Sequence, residues 1–273
     1  MGRFHGIVTE SPYPLTVERL CAAFRELGVE PGSVLLVHSS LSSLGWVCGG
    51  EQAVIEALQE SVRSYGTLVM PTQTTHLSDP ETWTKPAVPV AWWEEIRRSM
   101  PPFRVENTPS TGMGRIAETF RTSPDAVRSG HPHFSFAAMG DQALQISAEH
   151  PLDFGLGDES PLGRLYDADA HVLLLGAGFG SNTAFHLAEH RADYRRKELV
   201  TRHAPVLMDG HRRWKGFADI NIDSSDFENL GRDFVKHRRA DVRQGAVGRA
   251  HCYLFALRAC VDYGVSWLHR HRT

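Results

Sequence analysis

The sequence predicts an α/β domain built on a sheet that is at least partly antiparallel, and three stretches carry that prediction. Over residues 170–190 the chain reads AHVLLLGAGFGSNTAFHLAEH: an apolar run too short for a helix, a glycine-rich break, then a helical pattern. Over residues 33–63 a second apolar run gives way to the loop HSSLSSLGWVCGG and another helix. Residues 199–207 and 212–217 alternate in polarity and flank Asp209-Gly210, a strong short-range hairpin signal that makes part of the strand pairing antiparallel.

Composition bounds what such a chain can be. With 273 residues, 41% of them hydrophobic and 22% charged, one domain spanning 1–273 is expected, and its core needs no covalent or metal staple. The formal net charge is -3 on a chain with 15 His, so there is no global basic footprint and nucleic acid is disfavoured as a partner. Cys21, Cys48, Cys252 and Cys260 are scattered without a CxxC pair, which fits reduced thiols better than a disulfide frame or a zinc site. The N-terminus MGRFHGIVTESP lacks an apolar core and no run approaches about 18 apolar residues, so a soluble cytoplasmic protein without membrane contact is expected.

Taken in order, the first element is the amphipathic pattern TVERLCAAFRELG, in which Thr16 can cap a helix and Gly28 can end it. A buried strand over 33–37 then ends at His38, where small hydroxyl residues and Gly45, Gly49 and Gly50 leave backbone N–H groups approachable. Such a loop, feeding the helix over 51–63, is a place to hold an anion. A short strand over 67–70 runs into Pro71, Thr72 and Thr74. Residues 76–107 lose the pattern around several prolines and one helix containing Trp92, Trp93 and Ile96, and read as an inserted flap in which Trp83, Trp92 and Trp93 supply local packing. Thr108-Pro109-Ser110 introduces a short helix over 112–120. His131, which precedes Pro132, is held extended ahead of a strand over 134–139. The polar loop PLDFGLGDES over 151–160 crowds Asp153, Asp158 and Glu159 together before a helical turn over 161–166. A final helix is expected over 247–268.

The chemistry concentrates after the central glycine-rich break, where Ser181 or Asn182 can cap the helix. His186 and His190 lie one helical turn apart with Glu189 between them, so all three can project to one side. Two imidazoles and a carboxylate at the mouth of a strand-loop-helix unit suit proton transfer or metal ligation.

Several blocks, in this order, resemble the aminoglycoside 3-N-acetyltransferase family, which is distinct from the acetyltransferase superfamily whose strands splay in a V. They are VHSSLSSLGWVCGG, GTLVMPTQT, TPSTGMGRIAETFR, SGHPHFSFAAMG, the run from LDFGLGDES to FHLAEH, and AVGRAHCYLFALRACVDYGVSWL. The resemblance covers nearly the whole chain. It implies a three-layer α/β/α fold with a mixed central sheet, and transfer of acetyl from acetyl-CoA to the 3-amino group of the deoxystreptamine ring of an aminoglycoside antibiotic, giving resistance. The resemblance places coenzyme A against His38, Ser39, Ser40, Leu41 and Ser42, against Pro71, Thr72 and Thr74, and against Thr108, Ser110, Thr111, Gly112, Met113, Gly114 and Ser135. It makes His186 the general base with Glu189 in register, leaves Asp219 as the alternative orienting carboxylate, gives His38 the thioester to polarise or position, and suggests a homodimer. No metal is implied.

A polycationic acceptor would be concentrated by Asp79, Asp153, Asp158, Glu159, Glu189 and Asp219. Another amine remains open as acceptor, since family blocks report the acyl-transfer machinery rather than the acceptor. Two other readings compete with the transferase. His186, Glu189 and His190 spell H-x-x-E-H, the inverted zinc-protease motif, which would need a further ligand for which Glu228 is the candidate. A non-catalytic amine-binding protein would need the cleft without the base.

Overall fold

The computed structural model describes residues 2–273, and side chains over residues 6–273. Helices α1 (Gly2–Glu10) and α2 (Val17–Leu27) lead into strand β1 (Val34–Ser39). The α2 boundaries follow local chemistry: the Thr16 side chain accepts from the Arg19 N–H, and Gly28 closes the helix at φ 103°. After β1 come α3 (Leu41–Leu44), α4 (Gly50–Val62) and β2 (Thr67–Pro71). The flap follows, with α5 (Trp93–Ser99), and then α6 (Gly114–Arg121), β3 (Val127–Arg128) and β4 (Phe136–Gly140). Helices α7 (Ala143–Ser147) and α8 (Pro161–Asp167) precede β5 (His171–Leu175) and α9 (Ala184–Arg191). The chain closes with the hairpin β6 (Leu199–Met208) and β7 (His211–Ile220), α10 (Phe227–His237), β8 (Val242–Val247), β9 (Ala250–Ala256) and α11 (Leu257–His271).

The central sheet has the order β3-β4-β2-β1-β5-β9-β8. Its middle is parallel, with Leu36 beside Val69 on one side and Val172 on the other, and both flanks are antiparallel. Because strand side chains alternate between faces, the central strands supply two cores at once. Leu35, Val37, Leu68, Met70, Leu173 and Leu175 join the layer holding α2, α4 and α6. Leu36, Val69, Val172 and Leu174 join the opposite layer, which holds α7 through α11. The continuous apolar character of these strands is the mark of a sheet covered on both faces.

Two expectations are corrected. The stretch over 247–268 is not one helix: β8 and β9 form a hairpin turning at Gly248, whose φ is 60°, and α11 begins only at Leu257. Cys252 and Leu254 face one core while Phe255 faces the other, a period of two that sums with the following helix into an apparently broad apolar stripe. That stripe is also covered within this chain, since α11 buries Leu257, Cys260, Val261, Trp267 and Leu268. The second correction concerns the Asp209-Gly210 hairpin, which forms as predicted but as a separate two-stranded sheet. It packs instead on the 151–160 loop, where Phe154 N donates to Ala218 O, and on the flap, where Phe103 N donates to Pro205 O.

The flap is tied down by its own side chains. Arg97 forks onto Asp79, Trp83 Nε1 donates to Ser78 and Trp93 Nε1 donates to the Val88 carbonyl, whereas Trp92 is exposed. Among the described residues no helix is long and apolar enough to cross a membrane.

Candidate active site

Strands β1, β2 and β5 run parallel, so the loops leaving them open on one edge of the sheet, the usual place for a site in an α/β fold. His38 and Ser39 end β1, Pro71 ends β2, and Gly176 turns the chain away from β5. Gly176 has φ 66°, and a Cβ there would lie 2.9 Å from the Cβ atoms of Ser43 and Ala250, so only glycine lets this loop lie under the serine loop. The three loops, the 112–113 segment, α9 and Ser224 enclose a cavity of about 290 Å³ onto which His38 and His186 both face. It adjoins a cavity of about 760 Å³ through the shared residues Ser39, Gly112 and Met113. The N-terminus of α4 and Arg115, itself paired with Glu51 at 2.6 Å, line the larger space.

On α9 the predicted constellation is assembled. Asn182 takes the capping role, accepting the Ala184 N–H, while Thr183 turns its hydroxyl to His38 Nε2 at 3.4 Å. His186 Nδ1 donates to Glu189 Oε2 at 2.5 Å. A carboxylate on Nδ1 selects the tautomer with the proton there and leaves Nε2 as a lone pair. Glu189 is completely buried, and its other oxygen accepts from Asp223 N and from Arg272 Nη1. His190 is wired differently: Nδ1 faces the His186 carbonyl at 2.8 Å and Nε2 faces Asp219 at 3.1 Å, so neither nitrogen is free. The carboxylate bonded to His186 is therefore Glu189, and Asp219 bonds His190 and Arg202. Burial, and then the neighbouring His186, push His38 down to about 3, so it is a neutral ring at working pH. Burial would raise Asp219, but its bonds to His190 and Arg202 outweigh that and hold it below the ordinary carboxylate range.

The chain matches the family model described as aminoglycoside 3-N-acetyltransferase over residues 36–269. It belongs to that family. It is 45% identical, over 96% of its length and 95% of the relative's, to the SPbeta prophage-derived aminoglycoside N(3')-acetyltransferase-like protein YokD of Bacillus subtilis (strain 168). The crystal structure of that protein superposes with a TM-score of 0.95, covering 98% of both chains at 44% identity. Aminoglycoside N(3)-acetyltransferase VII of Streptomyces paromomycinus is 37% identical over 96% of this chain and 94% of its own. The binary complex of AAC-IIIb with CoASH superposes with a TM-score of 0.84 at 29% identity, over 95% of this chain and 98% of that one.

The family resemblance placed a set of residues on coenzyme A, and the structure divides that set. His38, Ser39, Pro71, Gly112 and Met113 line the smaller cavity, and Ser39, Ser40, Leu41, Ser42, Gly112, Met113 and Gly114 line the larger. Thr72, Thr74 and Ser135 depart from it. All three are fully buried, with Ser135 Oγ donating to the Thr72 carbonyl and Thr74 Oγ1 to that of Pro132, because the strand ends need partners for these carbonyls. Ser110 holds Glu118 through both N and Oγ, and Thr108 and Thr111 line a groove of about 1020 Å³ under the flap instead.

None of the six acids expected to gather a polycation lines the cavity at His186. Asp79 is held by Arg97, Asp153 accepts the Ala218 N–H, and Asp158 pairs with Arg191, while Glu159 is exposed. Glu189 and Asp219 are buried behind the two histidines. Gln73, Ser181, Thr183 and Ser224 line the cavity and were not anticipated. Thr183 sits just ahead of the recognised helix and could have been found there, but nothing local marks Gln73 or Ser224.

Proposed function

We propose that this enzyme transfers the acetyl group of acetyl-CoA to the 3-amino group of the deoxystreptamine ring of an aminoglycoside, with His186 as the general base. The observation that carries the reading is the His186–Glu189 pair, in which Nδ1 is committed to the carboxylate while the His186 ring lines a cavity continuous with a loop-lined trench. An ammonium group is no nucleophile, so a base must take a proton as nitrogen attacks the thioester carbonyl. His186 Nε2 accepts that proton, Glu189 stabilises the resulting imidazolium through Nδ1, and the tetrahedral intermediate expels the coenzyme A thiolate, to which a proton returns. Neutral His38, beside Thr183, positions the thioester without competing for the proton.

Coenzyme A fits the larger cavity on this reading. The backbone N–H groups at the start of α4 and the Arg115 guanidinium offer positive potential where a pyrophosphate needs it. The family membership and the CoASH complex of AAC-IIIb point the same way. The proton-transfer apparatus also disfavours the zinc-protease alternative, because the histidines of the H-x-x-E-H motif turn to separate partners rather than toward one ion.

The test is calorimetric titration with coenzyme A, followed by thiol release from acetyl-CoA with a panel of aminoglycosides and mass analysis of the product. Binding without added metal, and a single acetyl group on the 3-amine, are expected. Undetectable binding at millimolar coenzyme A would remove the transferase reading. Acetylation at another amine would overturn the regiochemistry.

A further inference from the structure

The base is supported by a residue far from it in sequence. Arg272 lies 83 positions from Glu189, yet its Nη1 donates to Glu189 Oε1. The same guanidinium forks onto Asp226, with Nε to Oδ2 at 2.8 Å and Nη2 to Oδ1 at 2.6 Å, and Nη2 also meets the Asp223 carbonyl. Arg272 packs over Tyr194 at 5.2 Å and over Phe227 at 5.9 Å, and the Phe227 ring lies 4.8 Å from that of His186. Guanidinium, carboxylate and imidazole are thus locked in series against one aromatic side chain.

We propose that Arg272 is a positioning residue for the catalytic pair: it anchors Glu189 Oε1, so that only Oε2 is presented to His186. This rests on the reading of His186 as the base. A completely buried carboxylate that faces one imidazole has two ways to relieve its burial, by taking the imidazole proton or by turning its plane. Arg272 closes both, because its charge favours the ionised carboxylate and its planar fork, anchored on Asp226, sets the direction of the bond. Asp223 N, on the same oxygen, finishes the cradle.

The charges around the pair make the effect of removing Arg272 definite in sign. Around Glu189 and His186 stand Asp223 and, through Arg272, Asp226 from the segment before α10, His38 from β1, and Tyr194 and Lys197 from the segment after α9, while His190 and Arg202 both bond Asp219 beside them. Arg272 is the cation in direct contact with this acidic group. Without it the site is more negative and binds a proton more readily.

The experiment is the pH profile of kcat/KM for R272A and R272K beside wild type and H186A. For R272A the expected result is a kcat lowered by about tenfold, with the KM for acetyl-CoA near wild type, since an outer partner of a catalytic ligand carries effects of this order. The acid limb of R272A should move up by about one pH unit. R272K keeps the charge but not the fork, so its limb should return to the wild-type position while kcat recovers only in part. Unchanged kcat and an unmoved limb in R272A overturn the proposal. So does an equal loss of kcat in both variants with the limb unmoved, which is the signature of a merely structural anchor. If R272A does not fold, R272K decides, because a wild-type kcat there refutes the fork. Turnover surviving in H186A would instead sink the base assignment, whatever Arg272 does.

Discussion

Two groups of histidines share this molecule and are wired in opposite ways. At the cavity, His186 commits Nδ1 to Glu189 and keeps Nε2 free. Beside β4, the rings of His131 and His150 lie 4.8 Å apart, tilted by 38°, with every ring nitrogen engaged. His131 Nδ1 accepts the N–H groups of His133 and Phe134, so its Nε2 carries the proton it donates to the Leu152 carbonyl. His150 donates from Nε2 to the Gly155 carbonyl and accepts at Nδ1 from Ser129, whose own oxygen receives the Phe136 N–H. Both residues are therefore neutral tautomers fixed by their partners. An imidazole with a free nitrogen on a cavity can do chemistry, whereas one with both nitrogens bonded in the interior holds backbone.

The sharpest way to break this contrast is His131→Ala. It strands two buried N–H groups and opens a void, so unfolding in denaturant should show a loss of about 2–4 kcal/mol while turnover per folded molecule stays near wild type. An unchanged midpoint, or lost turnover in a protein of full stability, would show that the two groups are not distinct.

Acid should reach the buried histidines of both regions through stability. Burial pushes His133 and His150 down to about 4 and His38 to about 3, and it takes His131 well below its usual value, with neighbouring His150 and His133 adding to the effect. Since the folded-state values lie below the unfolded value of about 6.5, the unfolded chain binds more protons below that pH. Stability is then fully present above about pH 6.5 and falls as pH drops toward 4, by up to about 1.4 kcal/mol per pH unit for each group while it titrates only in the unfolded state. Thermal melts across this range check it, and a melting temperature that rises on acidification contradicts it.

His38 should be intermediate. His38→Ala should slow turnover by roughly tenfold and leave the acid limb of the rate profile in place, because a group already neutral at working pH cannot be the one that titrates there. Loss of the limb in this variant would transfer the base role to His38. The smallest effect belongs to Glu159, which is exposed. Glu159→Gln should leave stability within about 0.5 kcal/mol of wild type, and a larger drop in melting would contradict that.

How much of this was legible depended on the range of the interactions. The strand-loop-helix units at 33–63 and 170–190, the α2 caps and the Asp209-Gly210 turn are local, and all appear where the spacing puts them. The His186–Glu189 bond is likewise an i, i+3 contact on one helix face. What the sequence concealed is long-range. The pairing of β8 with β9 hid behind an apolar stripe that ran on into α11, and the hairpin's detachment from the central sheet has no local signal. Acids that look available in the string, such as Asp79 and Asp219, are claimed in space by Arg97, Arg202 and His190. Arg272 reads as a terminal surface charge until Glu189 is found beside it.

The most direct measurement is the turnover of His186→Ala, taken together with its coenzyme A affinity and its melting temperature. If the free Nε2 is what distinguishes this histidine, kcat should fall by roughly a hundredfold to ten-thousandfold while affinity and melting remain close to wild type. Turnover undiminished in a folded, coenzyme-binding variant would contradict the account and place the base elsewhere.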